Sequence, residues 1–317
     1  MMKPLLTFGE AADIVKVAEN TIRRKVDSGV IPEIKEGAKR KVRLIDVQRA
    51  YPHMFTAAAA LPVLGARVIA LANQKGGVGK TSTCANLAAA LSQDGTPVLA
   101  IDCDPQGNLT QALGPNPDTL DITLYNVLVD RLPLEKAILS PILGQLSLAL
   151  VGANLDLAAV DHQLSGGVAR ETRLRQALEP YLSRFAYILI DCPPALGLLT
   201  LNALSAATEV IVPVDMGVFS LRGVAKLMDT IAEVRSVNPG LGRVQALSNR
   251  TDKTNLSVDV RAELERGFGQ DLLKTQIRRS VKVGEAQAAK MPITVFKPRD
   301  PAAVDYFALA KEIKDGS

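Results

Sequence analysis

The stretch Lys75-Gly-Gly-Val-Gly-Lys-Thr-Ser82 constrains this chain more than any other. It follows an apolar run, Val68–Ala72, that reads as a buried strand, and it precedes Thr83–Leu91, which reads as a helix. Strand, glycine loop and helix in that order are the setting of a phosphate-binding loop. Glycines let backbone N–H groups converge on an anion with no Cβ in the way, and the helix directs its positive end at the same point. Lys80 supplies a charge for the β and γ phosphates, and the Thr81 hydroxyl is placed to ligate Mg2+. Gly76, Gly77, Val78, Gly79 and Ser82 complete the candidate nucleotide loop. Two positions depart from the ordinary pattern. Gln74 stands five residues before Gly79, where glycine is usual, and a second lysine, Lys75, opens the loop. Holding a nucleotide within one subunit needs no lysine there.

Two further strand ends belong with this loop. Val98–Asp102 is an apolar run ending in Asp102, with Asp104 just beyond, and Tyr187–Asp191 ends in Asp191. Ligand sites of open parallel sheets lie beyond the carboxyl ends of the strands, so the loop and these carboxylates are expected to converge. Asp191 reads as the residue that holds a Mg2+ water. Asp104 reads as the group that orients or deprotonates an attacking water. An Asp before Pro often only caps a turn, but three such motifs in one order are hard to reach by chance.

Length and pattern give the frame. The 317 residues suit about two domains. Further strands are expected at Leu146–Val151, Val210–Val214 and Val244–Ser248, with helices such as Thr172–Tyr181 and Leu221–Val237 between strands. Continuous apolar strands alternating with helices predict an α/β fold with a mostly parallel sheet covered on both faces. Aromatics are only 4% with no Trp, so Ala, Leu, Val and Ile fill the core. Cys84, Cys103 and Cys192 sit in apolar segments and read as buried core residues of a cytosolic protein. No signal-peptide core and no membrane-length apolar run are apparent. With no CxxC and two histidines, a zinc site is not expected.

The first segment differs in character. Residues 1–53 carry 11 Lys/Arg against 7 Asp/Glu, the whole +4 excess of the chain. Thr7 with Glu10 forms a capping box for a helix running to Val15, with a break near residues 16–18. Asn20 is the expected cap of a second helix, Thr21–Asp27, that stops at Gly29. Two helices, the second bearing Arg23, Arg24 and Lys25, make a helix-turn-helix layout for DNA. Lys39–Arg43 then reads as a basic hairpin or wing, and Asp46–Ala50 as a further helix. A basic helical cap for dimerisation or partner docking is the plainer alternative. The division expected is 1–53 for this module, 54–66 for an alanine-rich linker and 67–317 for the α/β domain.

These motifs carry resemblances. Leu6-Thr-Phe-Gly-Glu-Ala-Ala12, Thr21-Ile-Arg-Arg24 and Gly29-Val-Ile-Pro32 resemble the MerR-type winged helix-turn-helix. Residues from about 67 onward resemble the ParA/Soj branch of the deviant Walker A (MinD-like) ATPases. The matching motifs are the glycine loop, Asp102-Cys-Asp-Pro-Gln-Gly-Asn-Leu-Thr110, Ile190-Asp-Cys-Pro-Pro194 and Ile277-Arg-Arg-Ser-Val-Lys-Val-Gly-Glu-Ala286. The resemblance implies an ATP- and Mg2+-dependent homodimer in which Lys75 reaches the partner's phosphates. It places the water-activating carboxylate at Asp104 and base-side contacts at Asn249 and Pro298. It implies DNA binding without sequence preference through Arg278, Arg279 and Lys282, with Arg250 beside them. It also implies a nucleoid-associated, cytoplasmic protein whose hydrolysis a ParB-type partner stimulates. An N-terminal DNA-binding extension fits an autorepressor. A positioner of non-DNA cargo and a nucleotide-sensing transcription regulator stay open as alternatives. A MinD-like membrane positioner fits poorly, because the segment Leu309–Ser317 is too polar to anchor.

Overall fold

The basic N-terminal segment is a winged module. The computed structural model describes residues 5–14, 17–36, 39–43, 47, 50, 65–145, 147–217 and 220–316. The chain divides into two compact units, one holding the first 59 residues and the other most of the remainder. In the first, β1 (Leu5–Leu6), α1 (Phe8–Ile14), α2 (Glu19–Asp27), β2 (Glu33–Glu36) and β3 (Lys39–Arg43) follow one another. The strands form an antiparallel sheet ordered β1-β3-β2, so Lys39–Arg43 is one arm of the expected hairpin.

The Thr7 capping box is formed. The Glu10 carboxylate accepts from the Thr7 N–H at 2.8 Å, and the Thr7 hydroxyl accepts from the Glu10 N–H at 3.3 Å. The second expected cap is not: α2 begins at Glu19 behind Ala18, one residue ahead of Asn20, and has no side-chain cap. Gly29, at φ +75°, ends that helix in the left-handed region that glycine enters without strain. Phe8, Ala11, Ile22, Val26, Ile31 and Val42 form the small core. Most of the expected helix 46–50, and the linker but for Gly65 and Ala66, lie outside the described residues.

In the second unit each apolar run read as a strand is one. The strands are β4 (Arg67–Leu71), β5 (Val98–Asp102), β6 (Ile138–Leu139), β7 (Leu148–Val151), β8 (Tyr187–Asp191), β9 (Glu209–Asp215), β10 (Val244–Thr251) and β11 (Leu272–Arg278). They form one sheet ordered β11-β10-β9-β4-β8-β5-β7-β6, parallel throughout except β6 against β7. Its described helices of seven residues or more are α3 (Lys80–Leu91), α4 (Leu198–Ala206), α5 (Ser220–Val237), α6 (Asn255–Phe268), α7 (Val281–Ala288) and α8 (Pro301–Asp315). The expected helix Thr172–Tyr181 is shorter, α-helical over Arg173–Leu178 with 3-10 turns at both ends.

Alternation along β4 builds both cores. Val68 and Ala70 face α4 and α5, against Leu204, Leu227 and Ile231. Ile69 and Leu71 face α3 and α8, against Leu87, Leu91, Tyr306 and Leu309. Successive strand residues point to opposite faces, so one apolar strand feeds two layers. Helix α3 lies between sheet and α8, which is why it is apolar nearly all round; its alanines admit close neighbours.

Strands β6 and β11 were not among those expected. β6 has two residues, and β11 is an edge strand whose half-exposed pattern breaks the apolar run. The open edge of β11 is closed by carboxylates of α8. Glu312 accepts from the Lys274 and Thr275 amides at 2.7 and 2.9 Å, and Asp305 accepts from the Arg278 amide at 3.0 Å. Covered amides cannot template pairing with another chain. All three cysteines are free and buried, and no described helix is long and apolar enough to cross a membrane.

Candidate nucleotide site

The central strand β4 delivers the glycine loop to the carboxyl ends of its neighbours. Asn73 anchors the loop: its Nδ2 donates to the Pro213 carbonyl at 2.8 Å and its Oδ1 accepts from the Lys75 N–H at 3.0 Å. Gly77 and Gly79 adopt φ of +74° and +90°, a region that costs other residues strain. Beside the loop opens a cavity of about 1030 Å³, lined by Gly76, Gly77 and Gly79 to Ser82, by Asp104 and by Asn249. No backbone amide from Gly76 to Ser82 finds an acceptor among the described residues. Successive unspent N–H groups at a helix start suit an anion.

Charge inside the site is poised but unneutralised. Lys80 is 7% exposed, and its ammonium donates only weakly to the Lys75 carbonyl, at 3.4 Å. Burial lowers its pKa, opposed by the nearby Asp191 and Asp104. Asp191 is fully buried and neither carboxyl oxygen has a hydrogen-bond partner among the described residues. Burial, with Asp102 beside it, raises its pKa well above the carboxylate range. An orphan carboxylate beside a loop threonine is a hard-oxygen donor set that fits Mg2+ or its waters, and Thr81 lines the same cavity.

The two aspartates at the end of β5 and just beyond it are placed differently. Asp102 faces inward as a staple. Its carboxylate accepts from the Asp104 N–H at 3.1 Å and from the Thr110 N–H and hydroxyl at 2.8 and 2.7 Å. Burial pushes its pKa up to about 6. The turn so fixed presents Asp104 to the cavity, where one oxygen accepts from the Gln106 N–H at 3.0 Å.

Other expected site residues fall in varied places. Lys75 is ion-paired with Asp215 at 2.9 Å. Asn249 lines the cavity, but its amide group donates to the Val78 carbonyl at 2.7 Å. Arg250 also lines it and donates to the Gly77 carbonyl at 2.9 Å. Pro298 is exposed and is not among the lining residues. Arg278 makes a two-pronged pair with Asp305 at 2.7 and 2.8 Å, and Lys282 pairs with Glu285 at 2.5 Å. Arg279 is exposed. In the N-terminal unit Arg23 and Arg24 are exposed, Arg23 paired with Glu19 at 3.1 Å. Lys25 is half-buried and donates to the Ala50 carbonyl at 3.1 Å.

Two residues of the site were not anticipated. Asp215, the partner of Lys75, is the last residue of β9, a strand end of the kind that marked Asp191. Gln287 of α7 donates to the Ser82 hydroxyl at 2.9 Å, and no local sequence signal marks it.

Comparison with known proteins agrees with this geometry. A family described as "AAA domain" matches residues 66–242, and one described as "Helix-turn-helix domain" matches residues 5–50. The sporulation initiation inhibitor protein Soj of Bacillus subtilis is 39% identical over 249 residues, covering 78% of this chain and 98% of Soj. This chain belongs to the ParA/Soj family of phosphate-loop ATPases. The chromosome partitioning protein ParA of Caulobacter vibrioides is 39% identical over 251 residues, 78% of this chain and 93% of that protein. Among solved structures, a cobyrinic acid a,c-diamide synthase from Mycobacterium smegmatis holds an ATP analog and magnesium. It is 35% identical with a TM-score of 0.68, covering 80% of this chain and 97% of that one. As a ParA/Soj-family member the chain is an ATPase that uses ATP with Mg2+, and it carries a helix-turn-helix domain ahead of the ATPase fold.

Proposed function

We propose that this ParA/Soj-family ATPase partitions DNA. ATP closes a homodimer, the dimer binds duplex DNA without sequence preference, and a ParB-type partner stimulates hydrolysis and so release. The N-terminal module, residues 1–53 joined through a linker at 54–66 to residues 67–317, adds a sequence-specific contact by which the protein represses its own partition genes. The protein works in the cytoplasm, on the nucleoid. The observation that carries this reading is a helix-turn-helix domain in one chain with a ParA/Soj-type ATPase domain.

Within the site, the loop amides and Lys80 bind the phosphates and Asp104 orients the attacking water. Thr81 and Asp191 hold Mg2+, which when bound offsets charge developing on the phosphates. The exposed Arg279, with Lys282, supplies phosphate contacts to DNA. Lys282 is already paired with Glu285, but a surface pair is worth only about 0–1 kcal/mol, little hindrance to a DNA phosphate.

The cross-subunit role of Lys75 fits its partly exposed pair with Asp215, at 33% and 21% exposure. A partner's triphosphate, with more charge than one carboxylate, can compete for that ammonium. Lys75→Ala is therefore expected to keep nucleotide affinity within about threefold while losing ATP-dependent dimerisation and turnover. Size exclusion with Mg-ATP reads the first loss and phosphate release the second. Normal hydrolysis by a monomeric Lys75→Ala protein would exclude the cross-subunit role.

The two DNA surfaces are expected to separate. Arg279→Ala with Lys282→Ala should weaken retention of random duplex and flatten its salt dependence by about one unit for each DNA phosphate no longer neutralised. Arg23→Ala with Arg24→Ala should spare that binding and abolish operator protection in footprinting. The reading as a whole is tested by retention of random duplex with Mg-ATP but not with Mg-ADP, alongside a shift from monomer to dimer. Equal retention in both nucleotide states would sink it.

A further inference from the structure

We propose that Asn249 and Arg250 form a clamp that presets the phosphate-binding backbone, a positioning role in the ATPase reaction. The proposal rests on the ATP-binding reading of the cavity. These adjacent residues near the carboxyl end of β10 donate to adjacent carbonyls of the glycine loop. Asn249 Nδ2 reaches Val78 O at 2.7 Å, and Arg250 Nη1 reaches Gly77 O at 2.9 Å.

A trans peptide is planar, with its N–H directed opposite its C=O. The Gly77 carbonyl shares a peptide plane with the Val78 N–H, and the Val78 carbonyl with the Gly79 N–H. Holding both carbonyls on the β10 side therefore turns the Val78 and Gly79 amides away from it. Those amides find no acceptor among the described residues, which leaves them free for an anion. An amide already turned need not be ordered when the phosphate arrives, so the clamp raises affinity without touching the nucleotide.

Three details show a fitted part. The Arg250 N–H donates to Asn249 Oδ1 at 2.9 Å, which fixes the Asn249 amide with its nitrogen toward Val78. Arg250 holds φ at +56°, an uncommon conformation for arginine, at a break in the β10–β11 register. A Cβ on Gly79 would sit 2.2 Å from Asn249 Nδ2, so loop and clamp leave no slack. Arg250 makes no ion pair among the described residues; its observed bond is to the loop.

The test separates a clamp from a base contact or a DNA contact by using a probe without a base. Asn249→Ala, Arg250→Ala and Arg250→Lys are titrated calorimetrically with Mg-ADP and with magnesium pyrophosphate, folding being checked by circular dichroism. Each alanine variant is expected to weaken both ligands by the same factor, about 10-fold, as for a lost bond that orders a charged site. The double alanine variant should lose less than the product, because both act through one loop. Arg250→Lys, which keeps a donor, should recover most of the loss. Asn249→Ala weakening ADP alone would make it a base contact and overturn the clamp. Arg250→Ala leaving both affinities intact while losing DNA retention would make it a DNA contact and overturn the clamp equally. Wild-type protein binding neither probe would instead overturn the nucleotide reading beneath it.

Discussion

Lys80→Ala is expected to cut affinity for Mg-ATP by about 100-fold or more, and with it dimerisation and ATP-dependent DNA binding. A charge-assisted hydrogen bond contributes about 1.5–3 kcal/mol, and the nearly buried Lys80 lines the cavity proposed to take the triphosphate, where screening is weak. The variant should not lose affinity by unfolding. Among the described residues the buried ammonium has no hydrogen-bonded carboxylate and only a 3.4 Å contact to the Lys75 carbonyl. Burial lowers its pKa, so the fold disfavours the charged form and gains from its removal. The melting temperature of apo Lys80→Ala should therefore hold or rise by about 2 °C, as about 1 kcal/mol gives for a domain this size. Wild type should gain about 2.7 kcal/mol from Mg-ATP at a hundredfold excess over Kd. The variant should gain almost nothing. Differential scanning with and without nucleotide reads both, and a full nucleotide-induced shift in Lys80→Ala would remove it from the phosphate site.

The elements around this lysine were legible because each has a local signature. Buried parallel strands need unbroken apolar runs, and β4, β5 and β8 show them to within a residue. Their carboxyl ends then locate Asp104 and Asp191 without any knowledge of packing. What the sequence hides is where long polar side chains go. Asn249 and Arg250 read as base and DNA contacts, and the sequence gives no sign that both donate to carbonyls of the glycine loop, with Arg250 in a left-handed turn at φ +56°. No periodicity encodes that turn. Arg278 reads as a DNA contact, and its partner Asp305 lies 27 residues on, brought near because α8 covers the edge of β11. The Lys282–Glu285 pair is different, since an i,i+3 spacing on a helix is readable directly. Strand β11 escapes for a related reason. An edge strand half open to solvent need not be apolar, and side chains of a helix satisfy its outer amides.

Asp104→Ala should leave binding and remove chemistry. Among the described residues the Asp104 carboxylate accepts one hydrogen bond, from the Gln106 amide, and the turn that carries it is held by Asp102 rather than by the Asp104 side chain. Truncating it should therefore spare the fold and the phosphate loop. General-base assistance contributes about 100- to 10,000-fold, so turnover should fall by that order while Mg-ATP affinity stays near wild type. If ATP holds the dimer on DNA, blocked hydrolysis should trap it there. Retention of duplex with Mg-ATP should outlast that of wild type after dilution, and no partner protein should hasten release. Asp191→Asn should behave otherwise. Its carboxyl group is buried, without a hydrogen-bond partner among the described residues and beside Lys80, so its loss removes the proposed ligand for Mg2+. Nucleotide affinity should fall along with turnover, and excess Mg2+ should restore part of it. The pair of variants thus separates activation of water from placement of the metal. Should Asp104→Ala turn over at the wild-type rate, the water-activating group lies elsewhere in the cavity, and the persistence of the trapped dimer on DNA would fail with it.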